Sequence, residues 1–280
     1  MPTQPTDPSR AIAHQLIQKA VENAQIHRAW YGTWMLFRRE IKRFLGIIGQ
    51  TVISPVLSTL LYFLVFGFSL GQRIDTVQGI PYVDFIAPGL VTMALINNAF
   101  FNSSFSFFLG KIHGSIVDLL ASPIGSVQIL LAYCGAAVIR GMMTGGIIWL
   151  LSGIFGAQTL HAPLTTLAFM MGSSFVFGLF GLTTAILATE FEHINFIPSF
   201  VMLPLSFLGG VFYSITMLPE FWANVSLFNP ILYVVNGIRH GMTGVSDVPV
   251  WQGALFLTLT GLFLLLFTVY LLKSGKKVRE

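Results

Sequence analysis

Asn195 to Gly244 reads NFIPSFVMLPLSFLGGVFYSITMLPEFWANVSLFNPILYVVNGIRHGMTG, and this stretch decides the fold. It begins with an apolar run, Phe196 to Phe212, and continues with three shorter apolar pieces, none near the roughly 20 residues that a helix needs to cross a bilayer core. The breaks between the pieces fall at Pro219, Asn229 and Pro230. Because broken backbone at membrane depth is tolerated only where it is buried in protein or lines a cavity, the stretch predicts a fifth span followed by a re-entrant helical hairpin at about 214–243. Such a hairpin before the last span indicates a pore or a substrate path.

The composition is that of a membrane protein. Charged residues make up 9% of the 280 residues and hydrophobic residues 54%, with 26 phenylalanines. A soluble domain averages about 25% charged residues, so this chain has too few to coat a water-facing surface. The net charge of +4 comes mostly from segments that flank apolar runs. It therefore predicts contact with anionic membrane lipid rather than with nucleic acid.

Six apolar runs predict an all-α membrane protein with six transmembrane helices. They are 47–70, 85–109, 127–155, 163–188, 196–212 and 253–272. The N-terminal segment carries seven Lys and Arg residues and the C-terminus four, whereas the two loops expected outside hold Arg73 alone. Because cytoplasmic segments are enriched in Lys and Arg, both termini are expected on the cytoplasmic side of a bacterial inner membrane.

The part of the chain before the first span predicts two elements. Residues 1–28 form a polar N-terminal extension, and 29–280 form one transmembrane domain. Large apolar side chains recur in a 4-3-4-3 spacing at Trp30, Trp34, Phe37, Ile41 and Phe44. The basic residues from Arg38 to Arg43 lie mostly on the rest of the surface, which predicts an amphipathic helix in the membrane interface. This helix is either an ordinary anchor or also a contact to a cytoplasmic partner.

The segment between the second and third spans reads GKIHGSIVDLLASPIG, from Gly110 to Gly125, and predicts a short amphipathic helix at about 111–122. Its apolar stripe consists of Ile112, Ile116, Leu119 and Leu120. Polar residues fill its other faces, and Pro123 ends it. Because so short a helix gains little stability alone, its stripe needs a docking surface, which is either a soluble partner or the lipid interface.

Several motifs resemble those of the type-2 ABC exporter permeases. GSIVDLLASPI, Gly114 to Ile124, is similar to the coupling helix of that family. LGGVFYS, LP-x-FW, LFNP and IRHG within 195–244 resemble its C-terminal signature, and FIAPGL at Phe85 to Leu90 adds to the likeness. These motifs are weak singly and specific in combination, and the likeness covers nearly the whole chain from about Trp30.

The resemblance implies a six-span permease subunit that forms a pore as a homodimer. Two copies of a separate ABC ATPase would dock on the coupling helices, and that partner would bind ATP and Mg. The chain itself has no G-x-x-x-x-G-K-[ST] motif and no metal-ligand spacing, so it is expected to bind no cofactor or metal and to be a transport subunit rather than an enzyme. The residues expected to couple to the ATPase are Ile112, Gly114, Ile116, Asp118, Leu119, Leu120, Pro123, Glu190 and Glu192.

The resemblance also implies that the second and fifth spans line a translocation path. The residues expected along it are Asn97, Asn98, Phe101, Asn102, Arg140 and Phe207. Arg140 lies about 20 Å along its helix from Val127, at a depth where a charge is costly and usually faces protein or water. It either lines the pore or a contact between subunits, or pairs with a buried acceptor in its own subunit. The asparagines either touch substrate or hydrogen-bond between helices.

Together these features predict an ATP-driven exporter that moves an amphipathic or lipid-linked substrate out of the cytoplasm, since the Phe-rich spans offer apolar surface and few charges. An ion-coupled secondary transporter working without an ATPase is the alternative. It would need acidic residues inside the spans, and the predicted spans have none beyond boundary residues such as Asp84. A membrane-embedded enzyme would need a nucleophile or metal constellation, and the sequence shows neither.

Overall fold

The structure is a computed structural model, and it describes residues 29–274 apart from positions 72, 75, 123 and 158. The expected polar extension, 1–28, lies outside the described residues. Helix α1 is Ala29–Gly46, and α2, Ile48–Tyr62, continues as a π-helix, Phe63–Leu70. Next come α3 (Tyr82–Ile112), α4 (Ser115–Ala121), α5 (Ser126–Ser152) with a 3₁₀ turn (Gly153–Phe155), and α6 (Pro163–Leu187). The rest comprises α7 (Phe191–Phe196), a π-helical segment (Ile197–Met202), α8 (Leu203–Leu208), a 3₁₀ turn (Ile215–Met217), α9 (Glu220–Ser226), α10 (Pro230–Thr243) and α11 (Val250–Ser274).

The protein is an all-α membrane protein with five to six candidate spans. Five segments are long and apolar enough to cross a bilayer: Tyr82–Ile112, Ser126–Phe155, Pro163–Leu187, Phe191–Leu208 and Val250–Ser274. Ala29–Gly46 and Thr51–Gly67 meet the same criterion together and are bent by 57° from each other, which raises the count to six. Length and apolar composition therefore located the second, third, fourth and sixth spans to within a few residues. The predicted first span, 47–70, meets the criterion only together with Ala29–Gly46, and the fifth differs at both ends.

The fifth span begins and ends earlier than the sequence predicted. Its helix starts at Phe191, so Glu192 lies in its first turn rather than in a loop before it. It ends at Leu208 instead of running on to Phe212. Gly210 adopts a φ of +72°, a left-handed conformation that side chains with a Cβ rarely allow. The glycine pair therefore stops the helix inside the apolar run.

A small β-hairpin, not predicted from the sequence, lies between the first two spans. Strands β1 (Thr76–Val77) and β2 (Ile80–Pro81) pair antiparallel, with Val77 opposite Ile80. The two residues between them have φ of 53° at Gln78 and 81° at Gly79, as the favoured two-residue hairpin turn requires. This turn places the Gln78 side chain next to the segment that follows α8.

Helix α3 is the centre of the bundle. Of the 18 consecutive residues that form its most apolar stretch, 83% are buried inside the subunit. The corresponding stretch of α11 is 17% buried. Close approach of the neighbouring spans depends on small residues: a Cβ at Gly181 would lie 2.3 Å from the Phe100 carbonyl oxygen, and a Cβ at Gly141 would lie 2.5 Å from Ser174 Oγ. The backbones of α3, α5 and α6 thus pack at distances that only glycine permits.

Helices α6 and α11 run in the same direction. A Cβ at Gly172 would contact Leu257 at 3.0 Å, and further along both helices the hydroxyls of Thr183 and Thr268 lie 2.7 Å apart. When two spans run in the same direction, the chain that connects them must cross the bilayer an odd number of times. The segment between them must therefore cross the bilayer once in net, and α7–α8 is long enough to do so.

Helix α10 runs opposite to α6 and packs on it without a gap. A Cβ at Gly237 would meet the Phe169 ring at 2.2 Å, and one at Gly241 would meet Thr166 Oγ1 at 2.3 Å. The end of α10 is also tied to the start of α6, because the Ala162 amide donates to the Gly241 carbonyl at 2.7 Å. Consequently α10 extends from the start of α6 partway along it, to the level of Val176, with which Pro230 lines an apolar cavity.

A buried ion pair holds the end of α10. Arg239 Nη1 lies 3.1 Å from Asp247 Oδ2, and both side chains are fully buried. Arg239 also donates to the carbonyl oxygens of Gly210 and Phe85, and its guanidinium lies 3.8 Å from the centroid of the Phe85 ring. Charge pairing, two hydrogen bonds and a cation–π contact together satisfy this buried cation.

Asp247 is in turn bound by two further side chains. It accepts hydrogen bonds from Ser214 Oγ and, at 2.6 Å, from Gln78 Nε2, and we call Arg239, Asp247, Ser214 and Gln78 the Arg239 cluster. Because Ser214 precedes α9 and Asp247 follows α10, the segment 215–246 leaves and returns at one point. Its far end is fixed separately, where Asn229 Nδ2 donates to the Leu205 carbonyl at 2.6 Å.

Candidate functional site

A cavity of about 490 Å³ lies among α2, α3, α5 and the α7–α8 span. Four of the six residues expected along a translocation path line it: Asn97, Asn98, Phe101 and Arg140. Apolar side chains supply much of the remaining wall, among them Tyr62, Met93, Phe105, Phe191 and Leu203. The cavity therefore combines an apolar wall with polar groups from several helices, a combination suited to an amphipathic molecule.

The asparagines of α3 are fixed by their own helix. Asn97 Nδ2 donates to the Met93 carbonyl at 2.8 Å, and Asn98 Nδ2 donates to the Ala94 carbonyl at 3.0 Å. Their amide nitrogens are thus engaged and their side-chain oxygens remain as acceptors. The oxygen of Asn98 accepts from Arg140 Nε at 3.2 Å.

Arg140 combines both of the interpretations that its sequence position allows. It has a buried acceptor in its own subunit, Asn98, and it also lines the cavity. The residue is 9% exposed, and no described carboxylate lies within the 4.0 Å of an ion pair. Its neutral partner leaves the positive charge uncompensated within the described part of the subunit.

Helix α2 contributes a row of hydroxyl groups to the cavity, which sequence analysis missed. Thr51, Ser54, Ser58 and Thr59 all line it. Their spacing of three, four and one places them on one face of the helix, and this spacing was the signal available in the sequence. Thr51 Oγ1 is buried and has no hydrogen-bond partner among the described residues.

Asn102 and Phe207 do not join the cavity, in contrast to the expectation for them. Asn102 is fully buried, and its side-chain and backbone oxygens accept from Arg43 Nη2 at 3.3 and 3.0 Å. Phe207 is 38% exposed and stacks on Phe212, with ring centroids 5.3 Å apart. One turn of helix past Asn98 is enough to move Asn102 from the cavity to the packing surface of α1.

The polar side of α1 is docked into the bundle through Glu40. This carboxylate is 1% exposed, accepts a hydrogen bond from Ser106 and forms an ion pair with Arg43 Nε at 3.2 Å. Arg39 lies 3.4 Å from it and also donates to the hydroxyl of Tyr133 at 3.3 Å. Glu40 has no distinguishing signal in the sequence, because a lone acid among basic residues resembles a solvated surface position.

The buried face of α1 also differs from the predicted apolar face. Trp30 and Trp34 are 55% and 56% exposed, whereas Phe44 is 1% exposed. The residues that face the bundle are Ala29, Thr33, Leu36, Glu40 and Phe44. The polar contacts of Glu40 with α3 thus lie on the bundle side of α1, and the tryptophans are left for lipid or a partner.

Helix α4 is present, but its apolar stripe is divided. Ile116 is 2% exposed and packs on α3, where a Cβ at Gly110 would meet its Cδ1 at 3.0 Å. Ile112, the last residue of α3, is 61% exposed. Val117 on α4, which was not among the residues expected to couple, is 56% exposed. The expectation that Ile116 enters a groove on a partner is therefore corrected: its side chain anchors α4 to its own subunit. Pro123 lies outside the described residues.

The other residues expected to couple lie at the same end of the bundle. Gly114 adopts a left-handed φ of 74° at the start of α4, and Asp118 is exposed while Leu119 and Leu120 are half-buried. Glu190 and Glu192 are exposed at the start of α7. The two groups are adjacent, because Lys111 Nζ donates to the Ala188 carbonyl at 3.2 Å. In the described part of the chain no three His, Cys, Asp or Glu side chains are placed to hold a metal ion.

Comparison with known proteins places this arrangement in a family. Residues 31–243 match the family model described as ABC-2 type transporter. The chain is 36% identical over 257 residues to the inner membrane transport permease YadH of Escherichia coli K12, an alignment that covers 91% of this chain and all of the relative. It is 25% identical over 177 residues to nodulation protein J of Sinorhizobium fredii, covering 63% of this chain and 68% of that protein. The chain belongs to the ABC-2 type transporter family, as a membrane permease of the kind that works with an ABC ATPase subunit.

Proposed function

We propose that this chain is the permease subunit of an ATP-driven exporter that moves an amphipathic or lipid-linked substrate out of the cytoplasm. The observation that carries the proposal is the cavity among α2, α3, α5 and α7–α8, in which aromatic and aliphatic side chains share the lining with a guanidinium, amides and hydroxyl groups. Such a lining can receive an apolar tail and a polar head at the same time. ATP and Mg bind to the partner ATPase in this scheme, and the permease binds no cofactor.

The working unit is a homodimer with two ATPase copies. Support for the dimer comes from the α7–α8 span, in which only 22% of the most apolar window is buried inside the subunit. Large side chains on it remain exposed, Phe200 at 68% and Leu203 at 40%. Leu203 also lines the cavity, so a second copy packed on this face would close the cavity and complete its wall.

The subunit lies in the inner membrane with both termini on the cytoplasmic side. The name of the Escherichia coli relative, an inner membrane permease, supports the compartment. The Lys and Arg residues near both termini support the orientation. In this orientation the Arg239 cluster is external, and α9–α10 is a re-entrant hairpin, since 215–246 returns to its starting point and α10 runs antiparallel to α6.

Coupling to the ATPase is assigned to the exposed side of α4 and the adjacent start of α7. The exposed side chains there are Val117, Asp118, Glu190 and Glu192, and Ile112 at the end of α3 lies beside them. Ile116 contributes indirectly, because it fixes α4 on α3 and so transmits movement of α4 to the central helix.

Co-purification tests the proposal as a whole. The full chain, expressed with its cognate ABC ATPase, is expected to be isolated as a complex with two copies of each subunit, in which hydrolysis depends on the ATPase. The permease purified alone is expected to hydrolyse no ATP. Robust hydrolysis by the permease alone, or a permease that stays monomeric with the ATPase present, would contradict the proposal.

A pair of substitutions tests the coupling surface. Val117→Asp places a charge where the ATPase is expected to cover an apolar side chain, and burying that unpaired charge should weaken the complex by several kcal/mol, on the order of 100-fold or more. Leu164→Asp is the control, an apolar-to-acidic change at a still more exposed position in the first turn of α6. Pull-down of the ATPase measures both. An unchanged affinity for Val117→Asp would exclude α4 from the contact.

A further inference from the structure

Arg140 differs from the other arginines that reach into the described bundle. Arg43 is paired with Glu40 at 3.2 Å and Arg239 with Asp247 at 3.1 Å. Arg140 has the neutral oxygen of Asn98 as its hydrogen-bond acceptor and no carboxylate within 4.0 Å among the described residues. A buried charge is stabilised by a counter-charge, and the described residues of the subunit supply none, so the cavity is open to an anion from outside.

We propose that the cavity binds the anionic group of the substrate, a phosphate or a carboxylate, on the Arg140 guanidinium. The inference rests on the proposed export function and adds the charge of the cargo to it. The hydrogen bond to Asn98 uses Nε, so the two terminal nitrogens of the guanidinium have no partner among the described residues. These nitrogens form the fork that binds phosphate or carboxylate through two parallel hydrogen bonds.

Hydroxyl donors on α2 line the same cavity as Arg140. Thr51 is 2% exposed, and its Oγ1 is buried and unpartnered among the described residues. Ser54 and Ser58 lie on the same helical face and also line the cavity. A buried hydroxyl without a partner costs free energy, and an anion that accepts from it removes that cost.

The remaining wall selects an anion that carries an apolar body. Phe101 and Phe105 on α3 and Leu203 on α8 line the same cavity as Arg140. A small inorganic anion would leave these surfaces in contact with water. An amphiphile with a negative head and an apolar tail would cover the aromatic wall and pair with the guanidinium in one binding event.

Lipid binding to the intact permease–ATPase complex in phosphatidylcholine nanodiscs tests the inference, with bound lipid counted by native mass spectrometry. The probes are lysophosphatidic acid, lysophosphatidylcholine of the same acyl chain, and inorganic phosphate. Lysophosphatidic acid is expected to bind at least tenfold more tightly than lysophosphatidylcholine. Arg140→Gln should remove that preference, and Arg140→Lys should keep part of it, because a lysine retains the charge but not the fork.

Two further variants separate the site from surface effects and from misfolding. Thr51→Val keeps the shape of the side chain and removes its hydroxyl, and a threefold or greater loss of affinity for lysophosphatidic acid is expected. Arg38→Gln removes an exposed charge of α1 and should leave the preference unchanged. If inorganic phosphate competes fully, the anion comes from a soluble molecule; if it does not, the anion is a lipid head group.

The outcomes distinguish this inference from the exporter proposal. Equal binding of both lysolipids to the wild-type complex, or a preference that survives Arg140→Gln, would overturn the anion site and leave the exporter intact. A complex that binds lysophosphatidic acid through Arg140 but shows no ATP-dependent release of it would overturn export and leave the site. If Arg140→Gln does not yield a folded complex, the Arg140→Lys and Thr51→Val affinities decide, and wild-type affinity in both would refute the site.

Discussion

Removing one partner of the buried Arg239–Asp247 pair should destabilise the protein far more than removing both. Asp247→Ala leaves the Arg239 guanidinium fully buried with two carbonyl oxygens and the Phe85 ring, but with no counter-charge. Arg239→Met leaves a buried carboxylate that still accepts from Ser214 and Gln78. The double variant has no charge to compensate.

The contacts set the expected magnitudes. Breaking a buried pair from one side costs about 3–5 kcal/mol, and Asp247→Ala is expected in the upper part of that range. Arg239→Met is expected near the lower end, since two donors remain on the carboxylate. The double variant exposes no charge but leaves the Gly210 and Phe85 carbonyl oxygens without their donor, at about 1–3 kcal/mol. The two single costs, about 4–5 and about 3 kcal/mol, together exceed the double cost by about 4 kcal/mol or more, and this difference is the expected coupling of the pair.

A double-mutant cycle measured by SDS-induced unfolding in mixed micelles tests this estimate. The four proteins are the wild type, the two single variants and the double variant, each checked for the same oligomeric state. The reasoning fails if the two single costs simply add, or if Asp247→Ala costs less than about 1 kcal/mol, because either result would mean that the guanidinium finds water or another counter-charge.

Three further outcomes are expected. Glu40→Gln should loosen α1 by about 1.5–3 kcal/mol, because a charged acceptor of Arg43 is lost, and faster proteolytic cleavage within α1 measures this. Gly181→Ala should sharply lower the yield of folded protein in the membrane, since its Cβ would lie 2.3 Å from a backbone oxygen of α3. A cysteine at Met217, an exposed position before α9, should react with a membrane-impermeant thiol reagent in intact cells when Cys134 is replaced by serine.

Each of these outcomes has a matched control. For α1 it is Arg38→Gln, an exposed charge whose loss should not change cleavage. For the helix contact it is Gly146→Ala, where a Cβ would meet nothing within 4 Å and normal yield is expected. For topology it is a cysteine at His113, which should react only after the cells are opened. Equal behaviour of variant and control in any of the three would refute the corresponding reasoning.

Span positions could be predicted from the sequence because they depend on length and apolarity alone. The bilayer requires about 20 apolar residues whatever their partners are, so Pro163–Leu187 was located almost to the residue. The end of the fifth span was not, since the apolar run continues through Gly210 and the helix does not. Backbone conformation at two glycines, rather than hydrophobicity, decided that boundary.

The direction in which a side chain points was harder to predict than the helix that carries it. The stripe containing Ile112 and Ile116 was recognised, but periodicity gives no information on which surface covers each member. One faces outward and the other packs on α3. Glu40 shows the same limit, because its burial depends on Ser106 and Arg43, and the bond to Ser106 spans two separate helices. Long-range polar pairs of this kind leave no local pattern in the sequence.

The meeting of Ser214 with Asp247 has a consequence for how such a permease can diversify. The segment between these two residues is, in topological terms, an insertion whose two ends are joined by the hydrogen bond from Ser214 to Asp247. The entropic cost of closing such an insertion grows only slowly with its length, so lengthening or trimming it around α9 would change neither the direction of α11 nor its packing on α6. Natural variation can therefore reshape this end of the bundle while the α6–α11 scaffold keeps its dimensions.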